Sequence, residues 1–249
     1  MDPPARTIGT STPAWPGSGH RRPRRSAVTY PVRRHLSAWL EEQAQLAARD
    51  LGRYRVLDVG CGSKPYYPYF APYASEYVGV DIDIDNPAAD VLGPVEDLPL
   101  EDESFDVVLC TQVLEHCADP DRAVRELWRV TAPGGAVLAS THGVQVYHPS
   151  PEDYWRWTHT GLELLFLRNG RWASVAVEPA GGMATCVAAV TGRYADLLLR
   201  RARLAPVAKG VVWLLNTAGA AIDRHVPALR ETKPGSIFLN YHVLARKPR

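Results

Sequence analysis

The chain has 249 residues, 46% of them hydrophobic, which is enough for one large domain with appendages and argues against two independent ones. Its net charge of +1 is unevenly spread: residues 1–34 carry seven Arg against one Asp, and the remainder has 21 basic and 26 acidic residues. That mildly acidic body lacks the basic balance expected of a nucleic-acid binder. Four cysteines without a C-x-x-C pair, and residues 1–27 without an apolar run, point to a reduced, cytoplasmic setting with no secretory signal. The charge-free apolar run 210–222 is too short for an integral membrane span.

In chain order, residues 1–30 are rich in Pro, Gly, Ser, Thr and Arg, with the cluster Arg21, Arg22, Arg24 and Arg25, and are expected to be a disordered basic tail. Residues 31–249 form the folded domain. Leu36, Trp39, Leu40, Gln43, Leu46 and Ala47 fall at helical spacing, so 36–50 reads as a helix stopped by Gly52. Residues 55–59 are a first strand, and Pro68 and Pro72 then allow only a short, irregular, aromatic helix. Strands follow at 77–81, 90–92, 105–110 and 136–140, with a helix at 119–131 between the last two. Asp119 caps that helix and Pro120 opens it. After an irregular active-site loop, 142–158, come a helix at 160–169, a sixth strand at 172–177, a helical insertion at 181–235 and a last strand at 237–245. Strands alternating with helices imply right-handed crossovers and an α/β fold built on a doubly wound, mostly parallel seven-stranded sheet.

The turn after the first strand, Gly60-Cys61-Gly62, exposes backbone N–H groups at the carboxyl edge of that sheet, where α/β proteins bind ligands. Pro65 stands where a dinucleotide fingerprint needs its third glycine, and no G-K-[ST] follows, so nicotinamide, flavin and phosphate-loop chemistry are disfavoured. Asp58 before the turn suits a cationic amino group, and Asp81 at the second strand's tip suits the two hydroxyls of a ribose. Together they ask for a ligand with a ribose, an amino group and a carboxylate.

An ordered set of motifs spans residues 55–141. It runs Val56-Leu57-Asp58-Val59-Gly60-Cys61-Gly62, Val78-Gly79-Val80-Asp81, Val95-Glu96-Asp97-Leu98-Pro99-Leu100 and Ser104-Phe105-Asp106-Val107-Val108. Val113-Leu114-Glu115-His116 and Glu126-Leu127-Trp128-Arg129-Val130 with Pro133-Gly134-Gly135 complete it. In this the chain resembles the class I S-adenosylmethionine-dependent methyltransferases of the type 11 subgroup. The resemblance implies a Rossmann-like methyltransferase fold, S-adenosyl-L-methionine as cofactor and S-adenosyl-L-homocysteine as product. It places Gly60, Cys61 and Gly62 at the methionine part, Asp81 on the ribose, Ile82 along the adenine, Val95 and Glu96 at its border, and Gln112 closing the site. Two positions depart from the pattern: Lys64 stands where a third glycine is frequent, and Pro94 where an Asp often precedes the Glu-Asp-Leu-Pro segment.

A hydroxyl or ammonium acceptor needs its proton removed, and histidine is the natural base. His116 and His142 are the catalytic candidates, against structural packing for both. His116, His142 and His148 near Glu152 and Asp153 match no compact ligand spacing, and no metal is expected. Tyr154, Trp155, Arg156 and His148 are candidates for the acceptor, through ring stacking and a guanidinium on an anionic group. The competing reading is a lid whose Trp155 and Trp157 pack inward while Arg156 pairs with a nearby acid.

The expected function is methyl transfer to oxygen or nitrogen of a small molecule, with a sugar-containing or natural-product acceptor favoured by the resemblance. The alternatives are a non-catalytic cofactor-binding partner and an RNA methyltransferase anchored by the basic tail. No nucleic acid partner is expected. The insertion, which carries Arg193, Arg200, Arg201, Arg203 and Lys209, leaves a homodimer, a pocket roof and peripheral membrane contact open.

Overall fold

The structure, a computed structural model, describes residues 15–249. The expectation of disorder over residues 1–14 lies outside the described residues, and residues 15–30 contradict it. They carry a short helix, α1 (Ser18–Arg21), and are pinned to the body. Trp15 stacks on Tyr67 with ring centroids 4.2 Å apart and donates its indole N–H to the Lys64 carbonyl at 2.8 Å. Arg21 donates to the carbonyls of Trp15, Pro16 and Pro65, and Ser37 donates to the Arg21 carbonyl. The folded domain therefore begins ahead of residue 31, because one aromatic ring and carbonyls in need of donors give this arginine-rich segment a place to pack.

The next helix, α2 (Tyr30–Leu51), starts earlier than the periodicity predicts, since Pro31 sits in its first turn where a missing N–H costs nothing. From β1 (Tyr54–Val59) the chain turns through α3 (Tyr67–Phe70) into β2 (Ala74–Asp81) and the two-residue β3 (Val91–Leu92). It continues as β4 (Phe105–Thr111), α4 (Pro120–Val130) and β5 (Thr131–His142), then α5 (His159–Arg168) and β6 (Ser174–Pro179). β5 starts five residues before the predicted 136. Its opening pairs Phe105 with Thr131, then slips register to pair Val107 with Ala136 around the Pro133-Gly134-Gly135 turn. An antiparallel hairpin, α6 (Met183–Arg201) and α7 (Ala205–His225), fills the insertion before β7 (Asn240–Arg246).

The sheet has the order β3-β2-β1-β4-β5-β7-β6, parallel except for β7, which runs against both neighbours. Buried residues alternate between its faces. Val56, Val107, Leu109 and Leu138 pack with Leu36, Leu40 and Phe70 of α2 and α3, while Leu57, Val108, Val137 and Val243 pack with Leu127, Leu162 and Phe166 of α4 and α5. The strand order reverses direction between β1 and β4, the place on the carboxyl edge where open α/β sheets bind ligands.

The hairpin is tied down by polar groups. Asp223 of α7 accepts the N–H groups of Gly182, Ala184 and Thr185 at the start of α6, where an anion complements the helix dipole. Asn216 donates to the carbonyls of Arg25 and Ala27. Among the described residues, α7 is the one helix long and apolar enough to cross a bilayer by length and composition, a longer element than the 210–222 run alone.

Candidate active site

Asp58, Gly60, Cys61 and Gly62 sit where β1 ends, and backbone conformation selects the glycines. Gly60 has φ 65°, and a Cβ there would lie 2.4 Å from Val113 Cγ2. Gly62 has φ 47° and open space where its Cβ would stand. The Gly62 N–H donates to Asp81 Oδ2 at 2.8 Å, drawing the turn onto the tip of β2. Asn86, which sequence reading missed, donates to the same oxygen at 2.9 Å and to the Gly62 carbonyl. Its signal was the turn-rich Asp83-x-Asp85-Asn86-Pro87 directly after the acid. Beside Asp81, Ile82 is 64% exposed, an apolar side chain with nothing over it.

Asp58 is buried and accepts the Tyr77 hydroxyl at 2.7 Å. Burial pushes its carboxyl up to about 7, against the lowering pull of that hydrogen bond and of Lys64. Lys64 is buried. Its stem runs against Gly79 and its ammonium meets Asp90 Oδ2 at 2.5 Å, so it braces the turn from below. Val95 is buried in the core, and the Glu96 carboxylate accepts the Ala118 N–H. Gln112 has φ 58°, a strained value for a residue with a Cβ. Its side chain donates to Ser140 Oγ and Asn240 Oδ1, locking β4 to β5 and β7 at the carboxyl edge.

The loop 142–158 is stitched to the short 3₁₀ turn Leu114–His116 that follows β4. The Tyr154 and Trp155 N–H groups donate to the Glu115 carbonyl, Trp155 Nε1 donates to the Cys117 carbonyl, and Trp157 N–H donates to the His142 carbonyl. Trp155 and Trp157 stack at 5.6 Å. Tyr154 remains more than half exposed and available to an acceptor. Of the two places expected for Arg156, the structure shows the one against a nearby acid. Its guanidinium forks onto both oxygens of Asp153 and also donates to the carbonyls of Gln145, Val146 and Trp155, which leaves no free donor for an external anion. Those hydrogen bonds hold the Asp153 carboxyl well below the usual carboxylate range.

His116 Nδ1 donates to the Glu152 carbonyl, which fixes its tautomer and leaves Nε2 as a bare acceptor. His142 is buried at the end of β5 with Nε2 3.2 Å from Glu115 Oε1. Burial, then the nearby His148 and Arg156, hold His142 at about 3, far from the near-neutral value wanted of a general base. Glu115, fully buried and pushed up to about 7 by burial, was overlooked beside His116 although an acid inside an apolar run is itself a signal. His142, His148 and Asp153, which match no compact ligand spacing in sequence, bring one ligand atom each within 4.8 Å of the others.

Residues 57–139 match the family model described as "Methyltransferase domain" of the type 11 group. A "Probable S-adenosylmethionine-dependent methyltransferase" of Mycolicibacterium smegmatis is 34% identical over 146 residues, covering 55% of this chain and 55% of that protein. A "Ubiquinone biosynthesis O-methyltransferase" of Pseudomonas entomophila is 30% identical over 120 residues, covering 41% of this chain and 48% of that one. The chain thus spans about half the length of these curated relatives. The solved structure of the [4+2]-cyclase SpnF superposes with a TM-score of 0.52 at 20% identity, over 84% of this chain and 80% of that one, a likeness of fold.

Proposed function

We propose that this chain, which carries a class I methyltransferase domain of the type 11 group, transfers a methyl group from S-adenosylmethionine to an oxygen or nitrogen of a small molecule. A sugar-containing or natural-product acceptor is the finer reading. The observation that carries the proposal is the pairing of Asp81 with the Gly60–Gly62 turn at the switch point of the sheet. The residues present fit the cofactor. Asp81 offers acceptor oxygens to ribose hydroxyls, exposed Ile82 offers an apolar face to a purine, and the open side of Gly62 leaves room beside the turn. Asp58, two residues before Gly60, is assigned to the amino group, although its buried carboxyl already accepts the Tyr77 hydroxyl.

When bound, S-adenosylmethionine supplies a methyl group on a positive sulfur, open to displacement in line. This chain's residues then hold and screen the reactants, which supplies most of the acceleration. The stitched loop 142–158 forms the acceptor wall, with Tyr154 facing outward. Of the two histidine candidates, His116 is favoured by position, its ring held by the Glu152 carbonyl, and His142 is too weak a base for that role. The printed name of the Pseudomonas relative, an O-methyltransferase, supports oxygen as the atom attacked. The RNA reading loses support where Arg21 is tied to three carbonyls.

A fold neighbour named as a cyclase shows that the fold alone does not imply methylation. The test is calorimetry with S-adenosylmethionine, followed by S-adenosylhomocysteine release across a panel of hydroxyl and amine metabolites. Absence of cofactor binding overturns the proposal. Tight binding without turnover on the whole panel favours the non-catalytic alternative.

A further inference from the structure

We propose that His142, His148 and Asp153 form a binding site for a divalent transition-metal ion at the acceptor side of the sheet's carboxyl edge. His142 ends β5, and the other two lie on the loop that covers it. One ligand atom from each lies within 4.8 Å of the other two, and His148 Nδ1 stands 3.5 Å from Asp153 Oδ2, too long for a good hydrogen bond. Zinc bonds of about 2.0–2.2 Å hold tetrahedral ligand atoms roughly 3.4 Å apart, so modest side-chain rotation closes the site.

The orphaned atoms point to a ligand. Nδ1 of His142 and Nδ1 of His148 are both buried without a hydrogen-bond partner, and buried polar nitrogens are nearly always paired. The other nitrogen of His142 faces Glu115, whose Oε2 accepts the Thr141 hydroxyl at 2.8 Å. Glu115 Oε1, 3.2 Å from His142 Nε2, is itself without a hydrogen-bond partner, and a carboxylate that pairs with that nitrogen keeps the proton there and leaves Nδ1 bare for a metal. Asp153 is likewise held from behind, by the Arg156 fork and the His148 N–H. Those three hydrogen bonds leave one of about four acceptor positions on its carboxylate free.

Two imidazoles and one carboxylate suit zinc and its first-row neighbours better than magnesium or calcium. Three protein ligands also leave a position for an oxygen ligand, as in catalytic rather than structural zinc sites. That oxygen belongs to the acceptor if the methyl-transfer reading holds. The site itself does not depend on that reading.

The full chain, stripped with a chelator, is titrated with Zn²⁺ by calorimetry and with Co²⁺ by visible absorption. One ion per chain is expected, with Co²⁺ bands of a four-coordinate site. His148→Ala abolishes saturable uptake, and Glu115→Gln weakens it by about 10–100-fold, both with unchanged circular dichroism. Histidine ring NMR of the wild type serves if a variant fails to fold: Zn²⁺ shifts His142 and His148 and leaves His242 unmoved. No saturable Zn²⁺ uptake, uptake undiminished in His148→Ala, or unmoved His142 and His148 rings overturns the inference. S-adenosylmethionine is titrated into the same stripped protein. Cofactor binding without metal uptake removes only the metal site, and metal uptake without cofactor binding removes only the methyltransferase reading.

Discussion

At the ends of β1 and β2 the carboxyl edge of the sheet is made of backbone: Gly60 and Gly62 at positive φ, and an N–H of the turn on Asp81. At the end of β5 it is made of side chains, with His142 against Glu115, Asp153 clasped by Arg156, and His148 between the other two rings at 4.8 and 5.3 Å. Both regions lie on the carboxyl edge of one sheet. The first is rigid because glycine conformations and strand tips fix it, whereas the second depends on ionised and hydrogen-bonded partners brought from separate segments. A backbone-built corner tolerates few substitutions but accepts one ligand shape, and a side-chain-built wall can be retuned residue by residue.

The comparison breaks hardest at the glycine turn. Gly60→Ala places a Cβ against Val113 at a positive φ. It should cost roughly 3–5 kcal/mol of stability from strain and overlap together and remove cofactor binding, as read by urea unfolding and calorimetry. If Gly60→Ala leaves both unchanged, the corner is not backbone-determined.

Next comes Asp58, buried under that turn. Burial raises its carboxyl from 3.8 to about 7, so the native state keeps a proton that the unfolded chain has lost. Its contribution to stability is full below pH 4 and is lost as pH rises to about 7. Asp58→Asn does not titrate. The wild type should therefore lose roughly 2–4 kcal/mol relative to that variant between pH 4 and 7, and nothing further above. Parallel urea midpoints from pH 4.5 to 8.5 give the answer, and a pH-independent difference would show that Asp58 is ionised in the fold.

Asp81→Ala should weaken S-adenosylmethionine binding by about 1.5–3 kcal/mol, the worth of hydrogen bonds to a charged group, without changing the acceptor KM. Unchanged affinity would refute the ribose assignment. Arg156→Ala probes the other region. It uncovers the Asp153 carboxylate and should cost about 1–2 kcal/mol and raise the acceptor KM, with cofactor affinity intact. If cofactor affinity falls instead, the two regions are one coupled unit.

The difference between the regions also explains what could be read in the chain. Val56–Val59, Val78–Val80 and Phe105–Leu109 are short apolar runs ending in turn residues, so the strands and the positions of Asp58 and Asp81 follow from local patterning. Apolar spacing marks α2 only from Leu36, whereas the helix opens at Tyr30 with Pro31 in its first turn. The partners of Arg156 and Lys64 were not legible for a common reason. Each cation's destination, Asp153 or Asp90, depends on how a loop folds back, and a charged side chain carries no periodic signal of its partner.

The sequence by itself determined the doubly wound sheet, the glycine corner and the acids at its tips, because steric limits on φ and ψ and the period of apolar residues act within a few positions. Only the tertiary structure decided that residues 15–30 pack on α3 through Trp15, that Lys64 braces the turn from beneath, and that His142, His148 and Asp153 converge. These contacts join segments that no local spacing relates, and they form because buried donors, acceptors and charges must find partners once the sheet has closed around them.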